Sequence, residues 1–418
     1  MQRLPFFRCF HALSIFLCFI LPCTLHAGAA PDAGTIERTL PKPPKTLPQE
    51  FEKPLTDEKE VIDVGPKILI KDFDFIGNEV ITSDALSMLV APYKNKNLSM
   101  TDLENIRLLI GDYYRQQGFW ASVIYGDQDF ADNILVVDIF EAKVGSILHE
   151  SDDEPRFPRE RIIAFIERNQ DKGQPIKIKE LDYSIQDLNS VAGIFSSMTL
   201  KPGTEVGESD IVVQTTNTPY FSGSLLVDNH GSRSTGYERG LLMLDVNSPF
   251  KLGEKFNFMY LATTEINYWG AGISYPMFND STKISYNYTT LDYDLGAPYG
   301  SLNGYGDSET HSGAITRNLW RQGSFQLSGT GSYAYRTYYN FASGAETSDK
   351  NIKAWILTLD AAFQDSFASG GINIASLATI IGRLDLSGTP SDYSADSTTA
   401  KTNGSFEKLS ARYIRIQR

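Results

Sequence analysis

Asp228, His230 and Ser232 are the residues of this sequence that most resemble a hydrolytic site, because they are the residue types of a serine-hydrolase triad. Such catalysis needs a nucleophile, a base and a third group that separate parts of the framework hold in place. Here the three residues are crowded together at the end of one predicted hairpin. The spacing therefore indicates a surface loop, and we expect no catalytic residue.

Metal and nucleotide chemistry have little support in the sequence. Zinc sites need His or Cys ligands at short characteristic spacings, which the other histidines do not show. These histidines are His11, His26, His149 and His311. The sequence contains no Gly-x-x-x-x-Gly-Lys-Ser/Thr motif, so we expect no nucleotide bound by a phosphate loop. We expect no metal and no other cofactor.

All three cysteines lie within residues 1–29. This segment resembles a secretory signal peptide, with two arginines followed by an apolar run at 9–21 and then small residues. The run is too short for a comfortable transmembrane helix. Removal of the segment would leave a chain without disulfides and without thiolate chemistry.

The charge and hydropathy of the chain narrow the class of protein. A net charge of -13 and a pI near 5.0 argue against a nucleic-acid-binding protein, which needs a basic surface to neutralise phosphates. The mean hydropathy of -0.24 is low for a bundle of membrane helices. It is normal for a membrane β-barrel, whose strands are only half apolar.

Residues 30–66 are rich in proline and charge. Proline removes a backbone donor and clashes with the preceding helical turn, so a long core helix is excluded there. The composition favours an extended linker. A short helix that could act as a plug remains possible between Asp32 and Leu40.

Residues 218–418 alternate between apolar and polar side chains with the period of two that β-strands show. Phe325, Leu327 and Tyr333 share one parity of the cleanest segment, and tyrosines and tryptophans gather near segment ends as in an aromatic girdle. The pattern predicts an antiparallel transmembrane β-barrel, with a soluble β-sandwich or propeller as the alternative. The candidate pore-lining residues lie on the polar parity and are Ser324, Gln326, Thr330, Arg336 and Asp360.

The lengths of the connections favour the membrane barrel over the sandwich. Outer-membrane barrels have short periplasmic turns on one side and long loops on the other. The predicted short links are residues 247–254, 277–282, 318–323 and 365–371. The predicted long links are residues 228–236, 292–308, 339–351 and 387–404. The link at 263–266 departs from the rule, because it is short on the supposed outer side.

Two similar α+β units precede the strands, at residues 67–144 and 145–217. Each has the predicted order β-α-α-β-β. In the first unit Thr101 and Glu104 are predicted to form a capping box for the second helix, and Gly118 suits its C-terminal cap. Each unit is large enough for one sheet with two helices packed on it.

Several short motifs occur in a characteristic order from residue 67 to the end. In the first α+β unit they are Phe73-Asp74-Phe75-Ile76-Gly77-Asn78, Tyr113-Tyr114-Arg115, Gly118-Phe119 and Gln128-Asp129. In the strand region they are Ser222-Gly223-Ser224, Asp228-Asn229, Gly253-Glu254, Phe406-Glu407-Lys408-Leu409 and Ile416-Gln417. In this order they resemble the two-partner-secretion transporters of the outer membrane, the TpsB or haemolysin-activator family. Members carry two POTRA domains followed by a barrel.

The resemblance implies that both α+β units are POTRA domains in the periplasm and that residues 218–418 belong to a barrel in the bacterial outer membrane. The implied partner is a secreted exoprotein, for which the haemolysin and adhesin types are the candidates. It would pass unfolded through a barrel that we expect to be monomeric in lipid. The alternative within the same superfamily is a factor that assembles outer-membrane barrels. A membrane-embedded lipase or protease is a third interpretation, and it depends on His230.

A three-stranded POTRA sheet leaves edge strands whose unpaired backbone groups can bind an extended guest by β-augmentation. The candidate edges are residues 121–130 and 196–201, although the sequence does not say which strand is outermost. The candidate binding residues are Ala121, Val123, Tyr125, Gln128, Phe130, Ser196, Met198 and Leu200.

The strand count departs from the family. We count about ten strands, whereas the family's barrel has about sixteen, and its Val-Arg-Gly-Phe/Tyr tetrad is not found. Ten strands would leave two bare edges in hydrocarbon, where unpaired backbone groups are costly. We therefore expect the sequence to be a fragment or a truncated product.

Overall fold

The computed structural model describes residues 30–41, 67–126, 128, 132–205 and 207–417. The predicted signal peptide and most of the proline-rich linker lie outside these residues. Within the linker, helix α1 (Ala33–Thr39) begins where Asp32 Oδ1 accepts a hydrogen bond from Thr35 N at 2.9 Å. A short helix therefore forms where the sequence left room for one.

The first α+β unit contains two helices and five short strands. They are β1 (Ile68–Ile70), β2 (Asp72–Ile76), α2 (Ser83–Val90), β3 (Lys96–Leu98), α3 (Met100–Gln117), β4 (Ala121–Ile124) and β5 (Ile134–Glu141). The main sheet has the order β2-β5-β4, with β2 parallel and β4 antiparallel to β5. Strands β1 and β3 form a separate antiparallel pair, which the sequence did not predict.

Helix α3 begins two residues earlier than the predicted capping box requires. Its N-cap is Ser99, whose side chain accepts a hydrogen bond from Asp102 N while Asp102 Oδ2 accepts from Ser99 N at 2.9 Å. The prediction of a capping box between Thr101 and Glu104 was wrong. An aspartate can fill the third helical position of a capping box in place of a glutamate, and the carboxylate of Glu104 pairs with Arg107 instead. Gly118 closes the helix with φ of 93°, as predicted.

The core of the first unit lies between α3 and the sheet. Leu103, Ile106, Ile110 and Tyr114 are the buried residues of α3 and follow the helical spacing. The hydroxyl of Tyr114 donates to Glu141 Oε1 at 2.8 Å, and Val80 N donates to the same oxygen at 2.8 Å. Burial raises the pKa of Tyr114, so its hydroxyl stays a donor. Val80 N also donates to Oε2 at 3.0 Å, so both oxygens of the buried Glu141 carboxylate are hydrogen-bonded.

The second unit repeats this arrangement. Its elements are β6 (Lys143–Glu150), α4 (Arg159–Glu167), α5 (Ile178–Asn189), β7 (Ile194–Pro202) and β8 (Glu208–Asn217). The sheet has the order β6-β8-β7, with β6 parallel and β7 antiparallel to β8. Backbone hydrogen bonds join the two units, since Ile178 N donates to Gly118 O at 2.9 Å. The two units are therefore directly bonded to each other.

Residues 221–417 form a single antiparallel sheet of ten strands in chain order. They are β9 (Phe221–Asp228), β10 (Arg239–Asn247), β11 (Lys255–Ala262), β12 (Ile266–Pro276), β13 (Lys283–Asp294), β14 (Gly304–Gln322), β15 (Phe325–Ala342), β16 (Ala345–Asp365), β17 (Gly371–Asp385) and β18 (Gly404–Gln417). Each strand pairs with its neighbours in sequence. In the part of the chain that the structure describes, β9 and β18 are the two outer strands and do not pair with each other. The predicted count of ten strands is confirmed.

The apolar face of this sheet points outward. Ile315, Trp355 and Leu357 lie on it and are 51%, 61% and 59% exposed. A second sheet packed against this face would bury these side chains, so the soluble sandwich is excluded. The fold is that of an antiparallel membrane barrel wall. No helix among the described residues is long and apolar enough to span a membrane.

The short turns lie on the side of the second unit, as a periplasmic side requires. Residues 277–282 and Arg321 both contact it. One predicted loop was wrong: residues 339–351 are mostly strand, because β15 and β16 continue to a tight turn at Ser343-Gly344. Another, 387–404, contains helix α6 (Pro390–Thr398).

Candidate polypeptide-binding edges and lumen wall

Asp228, His230 and Ser232 do not form a catalytic relay in the structure. The carboxylate of Asp228 accepts two hydrogen bonds from Arg239, at 2.8 and 3.0 Å. Ser232 Oγ bonds Thr235 Oγ1 at 2.7 Å rather than the ring of His230. The three residues are thus parts of a polar loop, as the sequence indicated.

Strand β4 is an edge of the first sheet. Ala142 N donates to Trp120 O at 2.9 Å, so the backbone groups of the next residues alternate away from and toward β5. Those of Ala121 and Val123 point outward and have no strand beside them among the described residues. The strand ends at Ile124, so it is shorter than the predicted edge of residues 121–130.

Two predicted binding residues of this edge have structural roles. Gln128 Nε2 donates to Val136 O at 2.9 Å, and Val136 N donates to Gln128 Oε1 at 3.0 Å. The side-chain amide thus continues the pairing of β5 where β4 stops, and it is not open to a guest. The hydroxyl of Tyr125 donates to Leu103 O at 2.7 Å, and burial raises the pKa of Tyr125. Phe130 lies outside the described residues.

Strand β7 is the corresponding edge of the second sheet. Ser196 N donates to Asn189 Oδ1 at 2.6 Å, and Asn189 Nδ2 donates to Ser196 O at 2.9 Å. The backbone of Ser196 therefore points away from β8, and by alternation so do the groups of Met198 and Leu200. The edge is closed by a side-chain amide at one end, and along the rest no further strand pairs with it in the part of the chain that the structure describes. Sequence reasoning missed Asn189, because nothing in a helix C-terminus signals which strand it will meet.

The predicted pore-lining residues lie on one face of the sheet. Gln326, Thr330 and Arg336 share a parity of β15, and Asp360 is paired with Ser328 of the same parity. Ser324 directly precedes β15. Thr330 Oγ1 bonds Thr316 Oγ1 across the strands at 3.0 Å. This polar face is opposite the exposed apolar face and is the face that α1 contacts.

Helix α1 is seated on the polar face through charged and apolar contacts. Lys350 Nζ lies 3.2 Å from Asp32 Oδ2, and the hydroxyl of Tyr338 donates to Glu37 Oε2 at 2.8 Å. Ile36 is buried against the wall. The helix therefore packs directly against the polar face of the wall.

Arg161 of α4 attaches the second unit to the sheet. Its guanidinium donates to Pro276 O at 3.0 Å, to the hydroxyl of Tyr275 at 3.2 Å and to Asn279 Oδ1 at 3.2 Å. The same group lies 4.7 Å from the ring centroid of Phe157. All three guanidinium nitrogens of Arg161 therefore donate a hydrogen bond at this contact. No sequence pattern signals it, because the partners are more than a hundred residues apart.

A second ionic contact lies beside it. Asp280 is buried in the short turn, 3.3 Å from both Arg168 Nη1 and Arg317 Nη2. Burial acts to raise the pKa of Asp280, but hydrogen bonds from Thr282 and the two arginines lower it overall. Asp280 is thus a carboxylate at any ordinary pH.

A third contact joins α5 to the end of β14. Asp187 Oδ1 lies 2.5 Å from Arg321 Nη1, and the hydroxyl of Tyr183 donates to Arg321 O at 3.2 Å. Burial raises the pKa of Asp187, and Arg321 offsets part of that rise. Together the three contacts hold the second unit against the short-turn rim of the sheet.

Comparison with known proteins agrees with this architecture. Residues 207–406 match the family described as haemolysin secretion/activation protein ShlB/FhaC/HecB, and residues 68–142 match the ShlB-type POTRA domain. The protein is therefore of the class in which POTRA domains precede an outer-membrane barrel. The chain belongs to the ShlB/FhaC/HecB family of two-partner-secretion transporters of the outer membrane.

The relatives are distant in sequence. The heme/hemopexin transporter protein HuxB of Haemophilus influenzae (strain 86-028NP) is 23% identical over 386 residues, which cover 89% of this chain and 67% of HuxB. The outer membrane transporter CdiB of Escherichia coli is 24% identical over 291 residues, covering 66% of this chain and 47% of CdiB. The chain thus spans about two thirds of HuxB and about half of CdiB.

Solved structures support the fold. CdiB from Escherichia coli aligns with a TM-score of 0.57 at 21% identity, over 79% of this chain and 62% of the CdiB chain. CdiB from Acinetobacter baumannii aligns with a TM-score of 0.50 at 17% identity, over 88% and 69%. The chain therefore shares with these structures the fold of an α+β region followed by a barrel wall.

Proposed function

We propose that this chain recognises a secreted exoprotein in the periplasm through its POTRA domains and passes it, unfolded, through the barrel to the cell surface. The chain would act as a single copy per barrel in lipid. Membership of the family supports the proposal, and so does the presence of an open strand edge on a domain that is attached to the rim of the wall.

The observation that carries the proposal is the outward-facing backbone of Met198 and Leu200 on β7. An unpaired edge strand binds an extended polypeptide through main-chain hydrogen bonds, which do not depend on the guest's sequence. A folded guest would hide its own strands, so this mode of binding selects an unfolded one. The contacts of Arg161 then keep the bound segment next to the barrel.

Helix α1 gives the transporter a closed state. It occupies the polar face that would line the path, and its contacts with Tyr338 and Lys350 are hydrogen bonds that water can replace. A guest entering the lumen must displace the helix. The same contacts would re-form after the guest has left.

The experiment replaces Met198 by proline in the native protein. Proline at position 198 removes a backbone N–H that faces the guest and removes none that faces β8. An edge strand tolerates proline at such an outward-facing position. Met198→Ala is the matched control, since it shortens the side chain and keeps the N–H. Secretion of an epitope-tagged exoprotein, chosen from the reading frames adjacent to this gene, is measured in the culture medium.

We expect Met198→Pro to abolish most secretion and Met198→Ala to retain it. Thermal unfolding of both variants checks that the POTRA domain is intact. Full secretion by a folded Met198→Pro protein would contradict recognition at this edge.

A further inference from the structure

A groove of about 500 Å³ lies where α5 and β7 of the second POTRA domain meet the inner face of the wall. We call it the mouth groove. Its POTRA side includes Tyr183, Gln186, Asn189 and Phe195. Its wall side includes Lys283, Thr316 and Gln326, which share the parity of the polar face. Its size is typical of pockets that enclose a ligand.

The mouth groove begins where the open edge of β7 ends. Asn189 closes the edge at Ser196, and Asn189 itself lines the groove. Phe195, the next residue toward the barrel, is 52% exposed and lines it as well. A chain paired with Met198 and Leu200 therefore reaches the groove as soon as its pairing stops.

The two sides of the groove are held in place by direct bonds. Lys283 Nζ donates to Ser190 O at 2.5 Å, which ties the base of β13 to the end of α5. Gln326 Nε2 donates to Asn318 Oδ1 at 2.9 Å, which fixes the wall side. The groove thus exists before any guest arrives, so binding there costs little rearrangement.

The chemistry of the groove suits an extended polypeptide rather than a lipid. Gln186, Thr316 and Gln326 offer neutral donors and acceptors that match backbone amides and carbonyls. Phe195 adds aromatic surface for guest side chains of many types. An acyl chain would leave the polar groups without partners.

We propose that the mouth groove is the handover site, at which the exported polypeptide leaves the β7 edge and turns into the lumen, and that Asn189 sets the point where strand pairing ends. The inference rests on the proposed function. To that function the inference adds a second binding site for the exported polypeptide and a fixed residue at which its pairing with β7 ends.

The experiment uses the full chain in lipid nanodiscs and a synthetic peptide of alternating threonine and valine, with lysine at both ends. One form of the peptide carries a benzophenone at its centre and another carries it at one end. Cross-linked residues are mapped by mass spectrometry. A peptide of the same length made of proline has no backbone N–H groups, so it cannot donate strand hydrogen bonds at either edge and serves as the negative control.

We expect the central probe to label β7 around Met198 and the terminal probe to label the wall side of the groove. Gln326→Trp fills the groove, so terminal labelling should fall about tenfold, which corresponds to about 1.4 kcal/mol of binding free energy. Central labelling should persist. Leu327→Trp, on the neighbouring residue of the opposite face, should change neither.

Removal of the Asn189 side chain tests the register. In Asn189→Ala the backbone of Ser196 becomes open, so central labelling should extend to that residue. Gln186→Ala, on the same face of α5, should not extend it. An unchanged pattern in Asn189→Ala would overturn the role of Asn189.

The outcomes separate the inference from the proposed function. Labelling of β7 without labelling of the groove overturns the handover site and leaves recognition at the edge intact. Labelling equal to that of the proline peptide at both places overturns both.

Discussion

The POTRA domains and the ten-stranded wall place their large apolar side chains on opposite sides: the POTRA domains bury them in a core, and the wall exposes them on its outer face. In the first POTRA domain, Ile106 and Ile110 are fully buried between a helix and a sheet. In the wall, Trp355 and Leu357 are 61% and 59% exposed on the outer face. The alternation of a strand says only that its two faces differ. The solvent on each side decides which face is the inner one.

The comparison also explains where each region finds its stability. A POTRA domain removes apolar side chains from water, so its stability follows packing. The wall exposes them to lipid, so its stability follows the pairing of its backbone groups. Substitutions should therefore act by different rules in the two regions.

The largest effect is expected from a cavity in the POTRA core. Ile106→Ala removes a fully buried side chain and should lower the free energy of unfolding by about 2–5 kcal/mol. Leu108→Ala, on the exposed side of the same helix, should change it by less than about 0.5 kcal/mol. Urea unfolding of the chain in lipid nanodiscs, followed by the fluorescence of Trp120 against that of the wall tryptophans, measures both.

A charge on the outer face should have a comparable effect for a different reason. Leu357→Arg places a cation in hydrocarbon and should lower the free energy of unfolding in lipid vesicles by about 2–4 kcal/mol. Thr358→Arg changes the next residue, which faces the polar side, and should cost much less. Equal losses for both variants would mean that the two faces do not meet different solvents.

The contact between the two regions should depend strongly on Arg161. Arg161→Ala leaves several acceptors of the short turn without their charged donor, and such hydrogen bonds contribute about 1.5–3 kcal/mol. We expect a broader distribution of the distances measured between one spin label on α4 and another on β12. Arg159→Ala, an exposed neighbour on the same helix, is the control and should leave the distances narrow.

The smallest effect is a pH dependence of this contact. The pKa of Asp280 is lower in the folded protein than its ordinary value of 3.8, so its contribution is fully present above that pH and is lost as the pH falls through the folded pKa. The same spin-label distances should stay narrow from pH 8 to 5 and broaden only below about pH 4. Asp280→Asn should remove this dependence. Broadening between pH 7 and 6 would implicate another group.

Strand parity and the C-terminal cap of α3 could be predicted from the sequence because they depend on near neighbours, whereas the N-terminal cap of α3 was predicted two residues too late. The two faces of β15 and the cap at Gly118 are of this kind. The amides of Gln128 and Asn189 could not be predicted, because each acts as a substitute strand only once the fold has placed it there. Residues 339–351 were misread as a loop, since a hairpin with polar residues on both faces lacks the alternation that signals a strand.

The comparison is tested most directly by cysteine accessibility along β15. Residues 24–418 contain no cysteine, so single cysteines can be introduced without background. In vesicles, cysteines at Leu327, Gly331 and Tyr333 should be quenched by lipid-borne quenchers after fluorescent labelling. Those at Gln326, Thr330 and Ser332 should react with water-soluble reagents. A strict alternation of the two responses is the predicted result. The same response at all six positions would contradict an outward apolar face and, with it, the wall on which the transport path depends.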